Sequence, residues 1–245
     1  PIFLTPYGLS YIFTIKSVYS FQALPQCIWI EDSDLPDAKT IKAIQTRIDD
    51  VEQWRLSSKD AGTRSMANRP HQFREMNFSK KSTIVIPIRS SEVRAYLPVD
   101  LYGGEARVTN LAYALYDAPT FNLAIISSKL HLVWISAICG KLETRLSYSN
   151  KMGWHTFPLP ALTEKNKADL TRCAEDILLA REAHFPATIA DLYDPETIPV
   201  NLREAHERND GVLERIYIGR RFKNDTERLE KLFELYTKMT TKPAK

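Results

Sequence analysis

The chain has few cysteines, and none of them lies at a metal-binding spacing. Cys27, Cys139 and Cys173 are far apart among the 245 residues. Their odd number and the lack of a CxxC pair predict reduced, mostly buried thiols in a cytoplasmic protein. The five histidines show neither HxxxH nor HExxH spacing, so the sequence predicts no metal site.

Long apolar runs and a leader sequence are also missing. No run approaches the roughly 18 residues that span a membrane. Lys16 interrupts the apolar N-terminal stretch and no basic segment precedes it, which argues against a signal peptide. We therefore expect no membrane partner. The chain begins with Pro1 instead of Met, which we interpret as a piece of a longer protein.

Catalytic motifs are absent as well. The sequence has only 8 glycines and contains no Gly-rich phosphate loop, no GxGxxG and no GxSxG element. It also lacks the Asn/Asp-Pro-Pro-Tyr/Phe motif of amino-methyltransferases and a motif that binds S-adenosylmethionine. No nuclease Asp…Glu-x-Lys set lies in a predicted strand. The sequence predicts no catalytic residue and no cofactor in this chain, and this favours a binding function.

Positive charge is concentrated in the middle of the chain. The net charge is only +3, but residues 69–155 hold 11 Lys and Arg against 6 Asp and Glu. Residues 161–245 hold 15 against 16. A basic central region is typical of a surface that meets a polyanion, although a solvated, mildly basic face would show the same balance.

The pattern of elements predicts an α+β fold with three zones. Residues 1–69 are expected to be a mainly helical connector from a missing catalytic core, with Asp34 as a helix N-cap and a polar linker at 57–69. Residues 70–160 mix strand and helix signals. Residues 161–245 switch to a helical bundle, in which Thr163 and Asn224 are predicted N-caps.

The middle zone can be divided further. Strands are predicted at 83–88 and 93–99, a turn at 100–104, and a further strand within 107–116. The apolar stretch 121–138 predicts two helices that break near Ser127 and Ser128. Gly140 then starts an extended, polar segment that ends at Phe157 and Pro158.

The extended segment carries side chains suited to reading DNA bases. If the backbone is extended, Glu143, Arg145 and Ser147 alternate onto one face. Arginine offers a pair of donors that match guanine O6 and N7, and glutamate accepts from the cytosine amino group. An exposed cross-strand ion pair between Glu143 and Arg145 explains the same residues equally well.

Hydroxyl, amide and cationic groups that are typical phosphate partners flank this face. The predicted contacts to the DNA backbone are Arg89, Ser90, Ser91, Arg94, Ser128, Lys129, Lys141, Tyr148, Ser149, Asn150 and Lys151.

Several short motifs resemble one family in the same order. They are Cys27-Ile-Trp-Ile, Ile86-Pro87 through Ser90-Ser91-Glu92-x-Arg94-x-Tyr96-x-Pro98, Ser128-x-x-His131-x-x-Trp134, Phe157-Pro158-x-Pro160, and Leu202-x-x-Ala205-His206 through Tyr236. Together these motifs resemble the recognition domain and helical tail of MmeI-like, type IIL restriction-modification enzymes.

The resemblance implies sequence-specific recognition of double-stranded DNA. In that family an N6-adenine methyltransferase, which uses S-adenosylmethionine, lies in the same polypeptide, often with a nuclease. The resemblance places base-specifying residues on the face of Glu143, Arg145 and Ser147. It places another near residues 109–111, which makes Thr109 and Asn110 candidates. It also implies a bacterial or archaeal cytoplasm.

Two other functions fit the residues. The chain could be a specificity subunit that acts in trans, like that of type I restriction systems, with the helical tail as its docking surface. It could also be a protein-interaction scaffold without a nucleic-acid role, in which Glu143 and Arg145 are a surface ion pair.

Overall fold

The computed structural model describes residues 12–14, 26–104 and 106–241. It begins with two short antiparallel strands, β1 (Ile12–Thr14) and β2 (Gln26–Ile28). Most of residues 1–22, for which the sequence suggests no role, lie outside the described part of the chain.

Three helices follow, α1 (Leu35–Thr40), α2 (Lys42–Ser57) and α3 (Ala61–Ser65). Asp34 precedes α1 as predicted, but its side chain makes no capping hydrogen bond. The predicted linker at 57–69 is folded, because the buried Arg55 donates to the carbonyls of Met66 and Arg69 at 2.9 and 2.8 Å. The expectation of a linker was therefore wrong.

The first three-stranded sheet has the order β5-β3-β6 and is antiparallel. Its strands are β3 (Ser82–Pro87), β5 (Asp100–Gly103) and β6 (Ala112–Tyr116). The turn predicted at 100–104 is thus mostly a strand, whereas the predicted strand at 93–99 is irregular chain. Gly104 directly follows β5, and a Cβ added there would lie 3.0 Å from the backbone of Lys80, so no larger residue fits without a shift.

The apolar stretch forms α4 (Phe121–Ile126) and α5 (Lys129–Ile138), which confirms the predicted break. A second antiparallel sheet follows, with the order β4-β8-β7. Its strands are β4 (Arg89–Ser90), β7 (Lys141–Leu142) and β8 (Arg145–Ser147), and a π-helical turn, Asn150–Trp154, comes next.

The last third is helical, as predicted: α6 (Glu164–Glu182), α7 (Ile189–Leu192), α8 (Val200–Ile218) and α9 (Asp225–Thr240). Thr163 caps α6 in a capping box with Asn166. Asn224 caps α9 by accepting from the Glu227 N–H at 2.9 Å. The Glu227 carboxylate instead accepts from Lys223 N and from Arg220, so only half of a capping box forms there.

One hydrophobic core joins the strand-rich region to the helical tail. Ile84 of β3 and Leu123 of α4 pack in the same cluster as Leu170 of α6 and Leu213 of α8, all fully buried. The sequence correctly assigned Trp134 to the core, where it is 1% exposed. A mixed strand and helix region followed by a helical region confirms the predicted fold class. No helix in the described residues is long and apolar enough to cross a membrane.

Candidate nucleic-acid interface

The Glu143–Thr144 turn joins β7 to β8 in a tight hairpin. Leu142 pairs with Arg145 across it. Glu143 has a φ of 57°, a left-handed conformation that glycine adopts far more easily. The predicted alternation of Glu143 with Arg145 along one extended strand is therefore wrong. Only Arg145 and Ser147 alternate along β8, while the Leu146 side chain between them is buried.

Glu143 still contacts Arg145, but across the turn and not along one strand. The Arg145 guanidinium donates from Nη2 to Glu143 Oε2 at 2.9 Å. Both side chains are exposed, at 59% for Arg145 and 71% for Glu143. An ion pair in this position contributes little to stability. It does restrict the orientation of the guanidinium and leaves its other N–H groups for a ligand.

Arg89 reaches the same face from the neighbouring strand. Arg89 of β4 lies opposite Ser147 of β8, and its guanidinium donates to the Ser147 hydroxyl. Ser90, the next residue, is 4% exposed. The outer face of this small sheet therefore presents Arg89, Ser147 and Arg145 together.

A cleft of about 490 Å³ lies beside this face. Three arginines line it and no carboxylate does, so the lining is positively charged. The residues come from three separate segments: Ile88, Arg89, Ser90, Ser91, Arg94, Asn110, Leu111 and Arg145. Six of these eight were predicted to contact DNA from the sequence. The structure thus brings a predicted base contact from the 106–111 loop next to Arg145.

Asn110 and Thr109 lie in an exposed loop that leads into β6. Asn110 lines the cleft, whereas Thr109 does not. The Thr109 carbonyl accepts from Ala112 N at 3.2 Å, and the Leu111 carbonyl accepts from Ile88 N at 3.1 Å. These bonds close the loop next to the end of β3.

Glu92 belongs to this surface although the sequence suggested no role for it. The pKa of Glu92 lies below its usual value because the carboxylate accepts from its own backbone N–H and from the Thr144 side chain, with Lys141 and Arg145 close by. Glu92 therefore supports the hairpin turn that carries Glu143. The sequence signal was its place between two predicted phosphate contacts, Ser91 and Arg94.

Lys141 and Lys151 are exposed on β7 and on the π-helical turn. Ser149 Oγ accepts from Met152 N at 3.4 Å, and Asn150 Oδ1 accepts from Lys151 N at 2.8 Å. The side-chain oxygens of Ser149 and Asn150 thus accept hydrogen bonds inside the turn, while the Asn150 amide group remains a donor. Both lysines can meet a phosphate without any rearrangement of buried groups.

Besides Ser90, which is 4% exposed although it lines the cleft, two predicted backbone contacts are buried away from the cleft and must be corrected. Ser128 is 0% exposed, and its hydroxyl accepts from His131 N at 3.1 Å as the N-cap of α5. Tyr148 is 2% exposed, and its hydroxyl lies 3.2 Å from His131 Nε2. Burial raises the pKa of Tyr148 and lowers the pKa of His131 to about 3. These residues support the interface from inside and cannot reach DNA.

Lys129 is also tied to the helical tail. Its backbone N–H donates to Asp210 at 2.7 Å, and its ammonium group lies 3.9 Å from the Asp225 carboxylate. Part of its charge is therefore balanced within the protein.

Among the described residues, no group of three or more His, Cys, Asp and Glu side chains is arranged to hold a metal ion.

Comparisons with protein families match almost the whole chain. Residues 23–161 match the MmeI target recognition domain, and residues 162–243 match the MmeI C-terminal domain. A curated relative, DNA methyltransferase A of Bacillus subtilis (strain 168), is 36% identical over 237 residues. That alignment covers 97% of this chain and 27% of the relative, so the chain spans about a quarter of that protein's length.

A solved structure is similar as well. It is that of the type IIL restriction-modification enzyme MmeI in complex with DNA. The two structures superpose with a TM-score of 0.84 at 29% sequence identity, over 89% of this chain and 29% of the other.

Proposed function

Because the chain belongs to the MmeI family, we propose that it recognises a specific sequence in double-stranded DNA on behalf of a larger restriction-modification enzyme. The observation that carries this proposal is the arginine-lined cleft, which gathers Arg89, Arg94, Asn110 and Arg145 from three segments. The similarity to a structure of MmeI in complex with DNA supports it.

Within this proposal, base reading falls to the cleft and the hairpin. The exposed guanidinium of Arg145 is braced by Glu143 at 2.9 Å, so its free N–H groups have a restricted direction when they meet guanine O6 and N7. Asn110 offers the amide pair that suits adenine N6 and N7. Ser147 holds Arg89, and Thr109 stands beside Asn110 in the same exposed loop.

Contacts to phosphates fall to the cations around the cleft. Lys141 and Lys151 are exposed, and Arg89, Arg94 and Ser91 line the cleft, whereas Ser90 is too buried to be assigned a phosphate contact. Such contacts fix the position of a protein on the duplex without reading its sequence. Contacts of Ser149, Asn150 and Lys129 with phosphates stay predictions.

The parent protein would deliver one adenine in the recognised site to a methyltransferase domain, which flips the base out of the duplex. The relationship to DNA methyltransferase A supports this assignment. S-adenosylmethionine would be the cofactor of that domain, and no residue of this chain is assigned to it. We place the enzyme in the cytoplasm, where the DNA of a bacterial or archaeal cell lies.

Selection from a random pool of duplex DNA tests the proposal. The chain would be incubated with the pool at about 50 and 200 mM salt, and the bound DNA sequenced. We expect one short motif to be enriched and the affinity to fall about tenfold or more over that range, as phosphate contacts require. A Lys165→Ala chain, which loses one exposed charge on α6, is the control and should behave like the unchanged protein.

Other outcomes would contradict the proposal in different ways. Salt-sensitive binding without an enriched motif would mean that this region does not read bases by itself. Absence of binding at both salt concentrations would favour a protein-interaction scaffold. Binding that becomes specific only when a separate methyltransferase subunit is added would favour a subunit that acts in trans.

A further inference from the structure

The buried guanidinium of Arg107 contacts two aromatic rings. Its central carbon is 4.4 Å from the ring centre of Trp29 and 4.5 Å from that of Phe78. Arg107 is 6% exposed and Trp29 is 5% exposed. The two rings are nearly perpendicular, at 86° with centres 6.2 Å apart, so the guanidinium lies in the corner that they form, and two cation–π contacts from different directions restrict its position. We call Trp29, Phe78 and Arg107 the aromatic clamp.

The N-terminal region holds one side of the aromatic clamp. Trp29 stacks on Phe73, with ring centres 5.8 Å apart and an interplanar angle of 20°. Phe73 directly follows Gln72, whose carbonyl accepts from Arg55 Nη2 of α2 at 2.7 Å. Trp29 thus rests on a segment that is itself bonded to a helix.

The 106–111 loop begins at Arg107, on the other side of the aromatic clamp. Arg107 Nη1 donates to the Gly104 carbonyl at 3.0 Å, and Gly104 is pressed against the backbone of Lys80. Two residues after Arg107 the chain becomes exposed, at Thr109, and the next two residues line the cleft. The aromatic clamp therefore fixes the start of the loop, and the Ile88–Leu111 backbone bond fixes its end.

Packing alone does not account for an arginine here. An apolar side chain would fill the corner beside the two rings without the cost of removing a charge from water. Lysine would keep the charge but lose the extended group that contacts both rings while it donates to Gly104. The position makes use of the direction of the guanidinium as well as its volume.

We propose that Arg107 is a positioning residue through which the N-terminal region sets the place of the 106–111 loop in the DNA-reading cleft. This inference rests on the proposed function. It predicts that the base preference contributed by Asn110 depends on Trp29 and Arg107, although neither residue touches DNA. The preference contributed by Arg145, which lies on a different sheet, is independent of the aromatic clamp.

The experiment compares base preferences position by position in the same duplex selection. Asn110→Ala and Arg145→Ala first identify the base pairs that the loop and the hairpin read. Arg107→Lys and Trp29→Phe then test the aromatic clamp, with circular dichroism as a check on folding. Trp54→Phe is the matched control, since Trp54 is an aromatic residue of the same region but is 67% exposed.

We expect Arg107→Lys to relax the preference at the base pair that Asn110→Ala relaxes, by about fivefold or more, the low end for a base contact. The preference at the base pair read by Arg145 should stay within about twofold, and Trp54→Phe should change neither. Trp29→Phe keeps a smaller ring and should have an intermediate effect. If Arg107→Lys does not fold, Trp29→Phe alone tests the positioning role.

The opposing results are distinct. Uniform weakening at all base pairs, or unchanged preferences, in folded aromatic clamp variants would overturn the positioning role while leaving the proposed function intact. Unchanged preferences in Asn110→Ala would overturn it as well, because the loop would then read no base. If the unchanged chain enriches no motif, the proposed function itself fails before any variant is compared.

Discussion

The carboxylate of Asp100 and the guanidinium of Arg181 form a buried ion pair, with Oδ1 and Nη2 2.5 Å apart. Arg181 also donates to the Val99 carbonyl at 2.8 Å. The pair joins β5 of the first sheet to the end of α6, and the two side chains are only 11% and 6% exposed. It is one of several polar links between the strand-rich and helical regions, alongside the hydrogen bonds that Lys129 N and the Tyr96 hydroxyl donate to Asp210.

Removal of one partner should therefore cost a large part of the stability. We expect Arg181→Met to lower the free energy of unfolding by about 3–5 kcal/mol, because a carboxylate remains buried without its partner. Urea unfolding followed by circular dichroism measures this. The double variant Asp100→Asn, Arg181→Met should recover much of the loss. A single variant that loses less than about 1 kcal/mol would show that water reaches the carboxylate.

Substitutions of Arg145 and of Lys151 should affect DNA binding in different ways. Arg145→Ala should relax the preference at one base pair with a modest loss of affinity, since we propose Arg145 as a base contact. Lys151→Ala should weaken binding to all sequences and flatten the salt dependence by about one unit, since we propose Lys151 as a phosphate contact. Duplex selection and salt titrations give both quantities. A changed base preference in Lys151→Ala with none in Arg145→Ala would reverse the roles.

Glu143 provides a test that separates strain from function. A left-handed φ costs a residue with a side chain about 1 kcal/mol or more relative to glycine. We expect Glu143→Gly to be more stable than Glu143→Ala by about that amount in urea unfolding. Both variants should relax the same base preference, because both remove the brace on Arg145. Equal stabilities would indicate that the turn changes its conformation when the carboxylate is lost.

Asp210 predicts a particular dependence of stability on pH. Burial, first of all, raises the pKa of this carboxyl to about 6, while it accepts from Lys129 N and the Tyr96 hydroxyl. The unfolded value is near 4, so the folded state binds more protons between about pH 4 and 6. Stability from this group is therefore highest below pH 4 and falls as the pH rises through 6. The total is about 3 kcal/mol, as a tenfold change in proton affinity is worth about 1.4 kcal/mol.

Asp210→Asn isolates that contribution. The amide stays neutral, can still accept from Lys129 N and can donate to the Tyr96 oxygen. We expect the stability of the unchanged chain, relative to this variant, to decline from about pH 4 to 7. Urea unfolding at several pH values gives the difference in free energy of unfolding between the unchanged chain and the variant. The contributions of the other carboxylates cancel in this difference. A difference that does not change with pH would contradict the raised pKa.

Local signals carried most of what the sequence predicted correctly. The caps at Thr163 and Asn224 and the helix break at Ser127 and Ser128 depend on neighbours within a few residues, so their pattern is visible in the sequence. The strand at residues 100–103 was missed because its pairing is with residues 82–85, while two adjacent glycines favour a turn. Long-range pairing, not local preference, decides that segment.

The grouping of the cleft residues could be predicted in part for the same reason. Arg89, Arg94, Asn110 and Arg145 were recognised as polar, exposed types and by family resemblance, and the fold brings them to one cleft. Ser128 and Tyr148 have equally suitable side chains but lie inside, because their hydroxyls meet His131. Hydrogen-bonding capacity can be read from a sequence, whereas the direction in which a side chain points depends on the tertiary structure.

If the cleft reads DNA as proposed, the continuous core has a consequence for how a new specificity could arise. Residues such as Ile84 and Leu123 share their interior with Leu170 and Leu213. A recombination event near residue 161 would therefore bring together two half-interiors with different ancestry, and their side chains would not interlock. Replacement of Asn110 or Arg145 leaves this interior unchanged. We expect new specificities in this lineage to arise by point changes at the cleft more readily than by exchange of a whole segment.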